Sequence, residues 1–111
     1  SSGSLIVSAG TLELDAGASW LNGRRFFMEG TGVLKLNAAD QIHRMAGLCF
    51  ADLGRLEIPS GVTVLVRAAE VNGVRVPDGT YTSASTGQMF GRILGGGTLI
   101  IARFGTMLYL K

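Results

Sequence analysis

The chain has 111 residues, of which 47% are hydrophobic and 16% charged, and its formal net charge is +2. The basic residues are scattered and form no run with aromatic residues, which argues against nucleic-acid binding. No apolar run approaches the length of about 18 residues that marks a membrane-spanning helix, so we expect no transmembrane segment. Cys49 is the one cysteine, which excludes an intramolecular disulfide and indicates a small buried hydrophobic residue.

The predicted elements are strands separated by turns. In chain order, strands are expected within 5–7, 12–14, 20–28, 33–36, 53–58, 62–66, 89–94, 99–101 and 107–110. The stretch 38–50 is ambiguous, and a short helix is arguable there. Between 71 and 82, the turn signals Asn72-Gly73 and Pro77-Asp78-Gly79 predict a hairpin-like excursion.

A short phrase, glycine followed by alternating apolar residues, occurs four times. The copies are Gly10–Leu14, Gly32–Leu36, Gly54–Ile58 and Gly97–Ile101. The first three glycines are equally spaced, and the fourth follows at nearly twice that spacing. Alternation with a period of two predicts a strand, and a fixed repeat of this length indicates stacked units.

Stacking in register would place equivalent residues of the copies in columns. Leu12, Leu34 and Leu56 would form an inward column, and the outward column between such ladders would read Glu13, Lys35, Glu57, with alternating charge. We therefore predict an all-β fold. Its specific form is a single-stranded parallel β-helix, or β-solenoid, with about 22 residues per coil and an excursion near 71–82. One domain is expected over residues 1–111.

Catalytic chemistry has little support in the sequence. His43 is the one histidine, whereas zinc and copper sites usually take several His or Cys ligands. The carboxylates Asp40, Asp52, Glu70 and Asp78 lie beside turns or loops, where acidic residues serve the backbone. We expect no catalytic residue, no metal and no cofactor.

The glycine phrases resemble a known bacterial repeat when they are taken with Val71-Asn72-Gly73, with Pro77 followed by Gly79-Thr80-Tyr81, and with Gly96–Ile101. Together they look like the autotransporter-associated β-strand repeat and C-terminal β-helix segments of bacterial exported proteins. The resemblance implies a right-handed parallel β-helix. It also implies a place within a longer protein that is secreted or displayed on the bacterial cell surface. It implies no activity.

Exposed aromatic residues are the remaining functional signal. Trp20 and Phe26 share columns with aliphatic residues and are predicted to be core, whereas Phe27 should point the opposite way. Tyr81 lies beside the Asp78-Gly79 turn and should be exposed. The candidate ligand-binding set is Phe27, Tyr81, Arg24, Arg25 and Asp78.

Two functions are compatible with this sequence. The first is a non-catalytic accessory module that binds polysaccharide through an exposed flank carrying aromatic and arginine side chains. The alternative is a purely structural solenoid segment, a stalk or cap of an autotransporter-like passenger, that self-associates through its open ends.

Overall fold

The computed structural model describes residues 4–15, 17, 19 and 25–102. The described residues form twelve strands and a 3₁₀ helix at Gly87–Met89. The strands are β1 (Ser4–Val7), β2 (Thr11–Glu13), β3 (Arg25–Met28), β4 (Val33–Lys35), β5 (Gly47–Phe50), β6 (Arg55–Glu57), β7 (Thr63–Val66), β8 (Ala68–Val71), β9 (Val74–Arg75), β10 (Gly79–Tyr81), β11 (Ile93–Leu94) and β12 (Thr98–Ile101).

The strands assemble into three sheets. In spatial order the first sheet is β1-β3-β5-β8-β9, the second is β2-β4-β6-β11 and the third is β7-β12-β10. From β1 to β6 the chain alternates between the first and second sheets, so each repeat unit contributes one strand to each. Equivalent strands of these units pair in parallel. By contrast, β9 runs antiparallel to β8, and β10 runs antiparallel to β12.

The prediction of a single-stranded parallel β-helix, or β-solenoid, is therefore wrong. The described residues form a small domain of parallel and mixed sheets, and their one helical element is the short 3₁₀ helix. Each unit carries two strands that belong to different sheets, and the parallel order is broken where the chain reverses at Asn72-Gly73. That reversal makes a β8–β9 hairpin, which begins before the predicted excursion at 71–82 and overlaps its first residues. The ambiguous stretch 38–50 holds turns and β5.

The fourth copy of the glycine phrase is not equivalent to the first three. It forms β12, which pairs with β7 in the third sheet and sets Leu99 beside Val64. The neighbour of β6 in the second sheet is instead β11, where Ile93 lies beside Leu56. Similar strand sequences therefore occupy different sheets.

The predicted register of the first three copies is confirmed. Leu12 pairs with Leu34, and Leu34 pairs with Leu56, in the second sheet. Leu34 and Leu56 are fully buried, whereas Leu12 is 36% exposed because β2 is the outermost described strand of that sheet.

The outward charged column follows the same register. The Lys35 ammonium nitrogen lies 3.9 Å from a carboxylate oxygen of Glu13 and 3.7 Å from one of Glu57. All three side chains are partly exposed, so solvent screening limits each contact to about 0.2–1 kcal/mol. The column favours this register over a slipped one without dominating the stability.

Side chains from all three sheets form one hydrophobic core. Burial alternates along the strands, as in β5, where Leu48 and Phe50 are buried and Cys49 is partly exposed. Phe26 is fully buried, as predicted, and Trp20 lies outside the described residues. The core includes Phe26, Met28, Leu48, Phe50 and Ala69 from the first sheet, Leu34, Leu56 and Ile93 from the second, and Val64, Val66, Leu99 and Ile101 from the third.

Glycine precedes each of the three repeated strands of the second sheet. At two of these glycines the backbone lies against the backbone of the preceding repeat unit. A Cβ atom on Gly32 would overlap the carbonyl oxygen of Val7, and one on Gly54 would overlap that of Met28. These oxygens belong to the backbone of the preceding unit, so neither can move without displacing a strand. A Cβ atom on Gly10 would meet nothing within 4 Å, because no described strand lies beyond β2.

Left-handed residues form a second column in the turns that follow β3, β5 and β8 of the first sheet. Gly30, Asp52 and Asn72 have φ values of 57°, 54° and 51°. The Gly30 N–H donates to Asp52 Oδ2 at 3.2 Å, and the Asp52 N–H donates to Asn72 Oδ1 at 3.1 Å. The side chains of Asp52 and Asn72 thus each accept a hydrogen bond from a backbone N–H of the preceding unit. Asp52 therefore has a structural role in its turn.

Gln41 is the buried polar side chain of the described core. Its Oε1 accepts hydrogen bonds from the N–H groups of Asn37 and Ala38 at 2.6 and 3.0 Å. Its Nε2 donates to the carbonyl oxygens of Leu14 and Asp15. The amide therefore joins the loop after β4 to the segment after β2, and its desolvation is offset by four hydrogen bonds.

We predict that Gly54→Ala lowers the free energy of unfolding by about 3 kcal/mol, because the new methyl group overlaps a backbone carbonyl that cannot relax alone. The matched control is Gly17→Ala, where a Cβ meets nothing within 4 Å and the change should stay within about 0.5 kcal/mol. Urea unfolding followed by circular dichroism measures both. Equal effects of the two substitutions would contradict the close packing at Gly54.

Candidate functional site

The candidate site lies on the outer face of the first sheet. In β3 the side chains of Phe26 and Met28 point into the core, so Arg25 and Phe27 point outward. The parallel pairing continues both outward rows across the sheet. One row runs Arg25, Gly47, Ala68, and the other runs Phe27, Cys49, Glu70, Arg75.

Small residues at the centre of these rows leave a groove between larger neighbours. Gly47 and Ala68 lie side by side in the register and carry little or no side chain. The space above them has a volume of about 530 Å³ and is open to solvent. Its lining residues are Arg25, Met45, Gly47, Leu48, Cys49, Arg67, Ala68, Ala69, Glu70 and Arg75.

The groove is positively charged. Three arginines and one carboxylate line it, so its formal charge is 3 − 1 = +2, whereas the described residues together, with seven basic and eight acidic side chains, carry −1. Glu70 pairs with Arg75 in the antiparallel register, yet the ion pairs within the described residues are those of Lys35. No hydrogen bond to another described residue occupies the guanidinium of Arg67 or Arg75. Since no described residue engages these donors, we take them as available to a ligand in the groove.

The Arg25 side chain contacts one residue of its own strand and one of the neighbouring strand β5. Its guanidinium carbon lies 5.5 Å from the centre of the Phe27 ring, within the range of a cation–π contact. Its Nη2 lies 3.7 Å from Cys49 Sγ, as a weak sulfur hydrogen bond. These contacts direct the arginine over β3 and β5 at one wall of the groove.

The structure brings together two of the five residues predicted from the sequence. Arg25 and Phe27 share the outer face of β3, and Arg24 lies outside the described residues. Asp78 and Tyr81 belong to the approach to β10 and to β10 itself, in the third sheet, and neither lines the groove. The Tyr81 hydroxyl donates to the Pro77 carbonyl, and its ring packs against the core.

Sequence reasoning missed Arg67, Glu70 and Arg75. Arg67 and Glu70 belong to the unit in which the sequence offset between paired strands becomes one position shorter, as the pairing of Gly47 with Ala68 shows. Arg75 reaches the face only because the hairpin folds β9 back onto β8. The available signal was the Asn72-Gly73 turn, which predicts that residues on either side of it become cross-strand neighbours.

His43, the one histidine of the sequence, has a structural partner. His43 Nδ1 accepts a hydrogen bond from the Met45 N–H at 3.0 Å, within a turn. Within the described ranges, no three His, Cys, Asp or Glu residues come together to hold a metal ion. The part of the chain that the structure describes contains no helix that is long and apolar enough to cross a membrane.

Comparison of the chain with protein-family models, with curated proteins and with solved structures gives no match. The groove is therefore interpreted from its own chemistry.

We predict that Cys49, on the groove surface, reports the positive charge directly. In low salt, the ratio of its alkylation rates with anionic iodoacetate and neutral iodoacetamide should exceed that of N-acetylcysteine by roughly three- to tenfold, because the arginines attract the anion. Mass spectrometry of the native protein measures both rates. Arg67→Gln should lower the ratio, and Lys35→Gln, which removes a charge from the second sheet, should not. A ratio equal to that of the free thiol would contradict the assignment.

Proposed function

We propose that this chain is a non-catalytic module that binds polysaccharide through the groove on the outer face of the first sheet. The observation that carries the proposal is the open space over Gly47 and Ala68, bordered by the guanidinium groups of Arg67 and Arg75, which no other described residue engages. Each guanidinium offers five N–H donors, which suit the oxygen-rich surface of a sugar chain. The groove is open rather than enclosed, as a polymer that extends beyond its site requires.

We propose a non-catalytic role because of the number of carboxylates in the groove. Among the described lining residues, Glu70 is the one carboxylate. Hydrolysis of a glycosidic bond usually requires two carboxyl groups at a defined separation. A groove with one carboxylate and several arginines favours retention of a sugar chain over its cleavage.

The cellular context is a separate part of the proposal. A bacterial protein that is secreted or displayed on the cell surface is supported by the resemblance of the glycine phrases and of Pro77 to Tyr81 to autotransporter-associated repeats. Polysaccharides are abundant at that location, so the two parts of the proposal agree.

A second candidate function is a structural segment that associates with another copy of itself through one end. Within the described ranges, no strand pairs with the outer edge of β1 or β2. Ile6 on β1 is 58% exposed, and Leu12 on β2 is 36% exposed. Unpaired strand edges with apolar side chains favour association. At the other end, antiparallel β9 and β10 interrupt the parallel stacking.

We predict that native electrophoresis through gels containing neutral and acidic polysaccharides retards the protein on at least one of them. Arg67→Gln and Arg75→Gln should each reduce the retardation, because each removes an unpaired guanidinium from the groove, whereas Lys35→Gln should leave it unchanged. A gel without polysaccharide, run over a range of protein concentrations, detects self-association. Unchanged mobility on every polysaccharide would contradict the proposed function, and concentration-dependent mobility would then favour the structural role.

A further inference from the structure

We infer that the polysaccharide is acidic, and that its carboxylate or sulfate groups bind the arginines of the groove. This inference rests on the proposed function and adds the chemical class of the ligand. Nothing in a neutral sugar chain would require the concentration of positive charge that the groove holds.

Positive charge is concentrated in the groove. The groove carries a formal charge of +2, whereas the other charged residues that the structure describes, four basic and seven acidic, carry −3. In the second sheet, for example, Lys35 lies between the carboxylates of Glu13 and Glu57. An approaching anion is therefore attracted to the groove rather than to the rest of the described surface.

The individual arginines differ in whether a structural partner already engages them. Arg92 donates to the Gly54 carbonyl at 3.0 Å, so its guanidinium already has a structural partner. Arg67 and Arg75 have exposed side chains, and no other described side chain or carbonyl engages their guanidinium groups. A planar guanidinium matches the two oxygens of a carboxylate, and it forms stronger hydrogen bonds with charged than with neutral oxygens.

The described part of the groove offers no bare aromatic ring. None of the described lining residues is aromatic, and the nearby Phe27 ring is covered by the guanidinium of Arg25. Stacking of a sugar ring, or of a nucleic-acid base, is therefore not the interaction that this surface offers. Charge-assisted hydrogen bonds are the interaction that it does offer.

The arrangement also suits a repeating anion. Arg25 on β3 and Arg75 on β9 are three strand positions apart, which corresponds to about 14 Å. Glu70 lies on β8, beside Arg75, and repels an anionic group from that part of the floor. Acidic groups spaced along a polymer would contact the two walls and leave the centre to uncharged sugar atoms.

The experiment compares ligands that differ only in charge. Isothermal titration is performed with polygalacturonate and with its methyl ester of equal length, and then with dextran sulfate and dextran. We expect the acidic member of each pair to bind, with either carboxylate or sulfate sufficient. Arg67→Gln and Arg75→Gln should each weaken binding by about three- to tenfold. Lys35→Gln should change it by less than about twofold. Both arginines are exposed, so these variants should remain folded.

Each outcome decides the inference. Equal, salt-independent binding of the esterified or neutral polymer would overturn the acidic specificity while leaving the proposed function intact. Binding of neither member of any pair would overturn both. Single-stranded DNA of equal charge serves as the third arm. Equal affinity for DNA and for polygalacturonate would show a general polyanion surface, and it would overturn the assignment of a polysaccharide ligand.

Discussion

Contact between the backbones of successive repeat units is the constraint on which the rest of this structure depends. At Gly32 and Gly54 the chain enters the second sheet so close to the preceding unit that a carbonyl oxygen occupies the place of a side chain. Only glycine fits such an approach. Because the contact is between backbones, it sets the register of both neighbouring sheets at once, and the leucine and charged columns follow from it.

The candidate site is a consequence of that register and of its interruption. Paired strands of the first sheet are offset by 21 positions from β1 to β3, by 22 from β3 to β5 and by 21 from β5 to β8. The pairing of β5 with β8 brings Gly47 and Ala68 together and opens the groove. The β8–β9 hairpin then ends the parallel stacking and adds Arg75 to the same face. The surface thus acquires its charge and shape next to the strand pair where the parallel stacking ends.

Much of the register could be predicted from the sequence, because a constant spacing of the glycine phrases leaves one way to align Leu12, Leu34 and Leu56. The architecture could not. The strand that contains Phe26 has a weaker pattern than the glycine phrases, so its separate sheet was not recognised. The phrase at Gly97 looks like the earlier copies but lies in the third sheet. A constant repeat period therefore predicts which strands lie beside each other, but it does not predict to which sheet a strand belongs.

The site was partly predictable for the same reason. The alternation of inward and outward side chains along β3 correctly assigns Phe26 to the core and Phe27 to the outer face. Arg25 lies on the same outer face and contacts Phe27. The contribution of Arg75 to the groove depends on the pairing across a hairpin. The burial of Gln41 in the core depends on two hydrogen bonds within its own loop and two to the segment after β2. Such contacts follow from the folded arrangement, and neither periodicity nor composition indicates them.

The central claim is that units one repeat apart are stacked in register, and exchange of charges tests it most directly. Lys35→Glu creates a column of three carboxylates and should lower the free energy of unfolding by about 1 kcal/mol in low salt. The triple variant Glu13→Lys, Lys35→Glu, Glu57→Lys restores the alternation. Because it also removes the hydrogen bond from Asn37 to Glu13, its stability should return to within about 0.5 kcal/mol of the original. Recovery on urea unfolding, reduced in high salt, is the predicted result. A triple variant whose loss equals the sum of the three single losses would contradict the register.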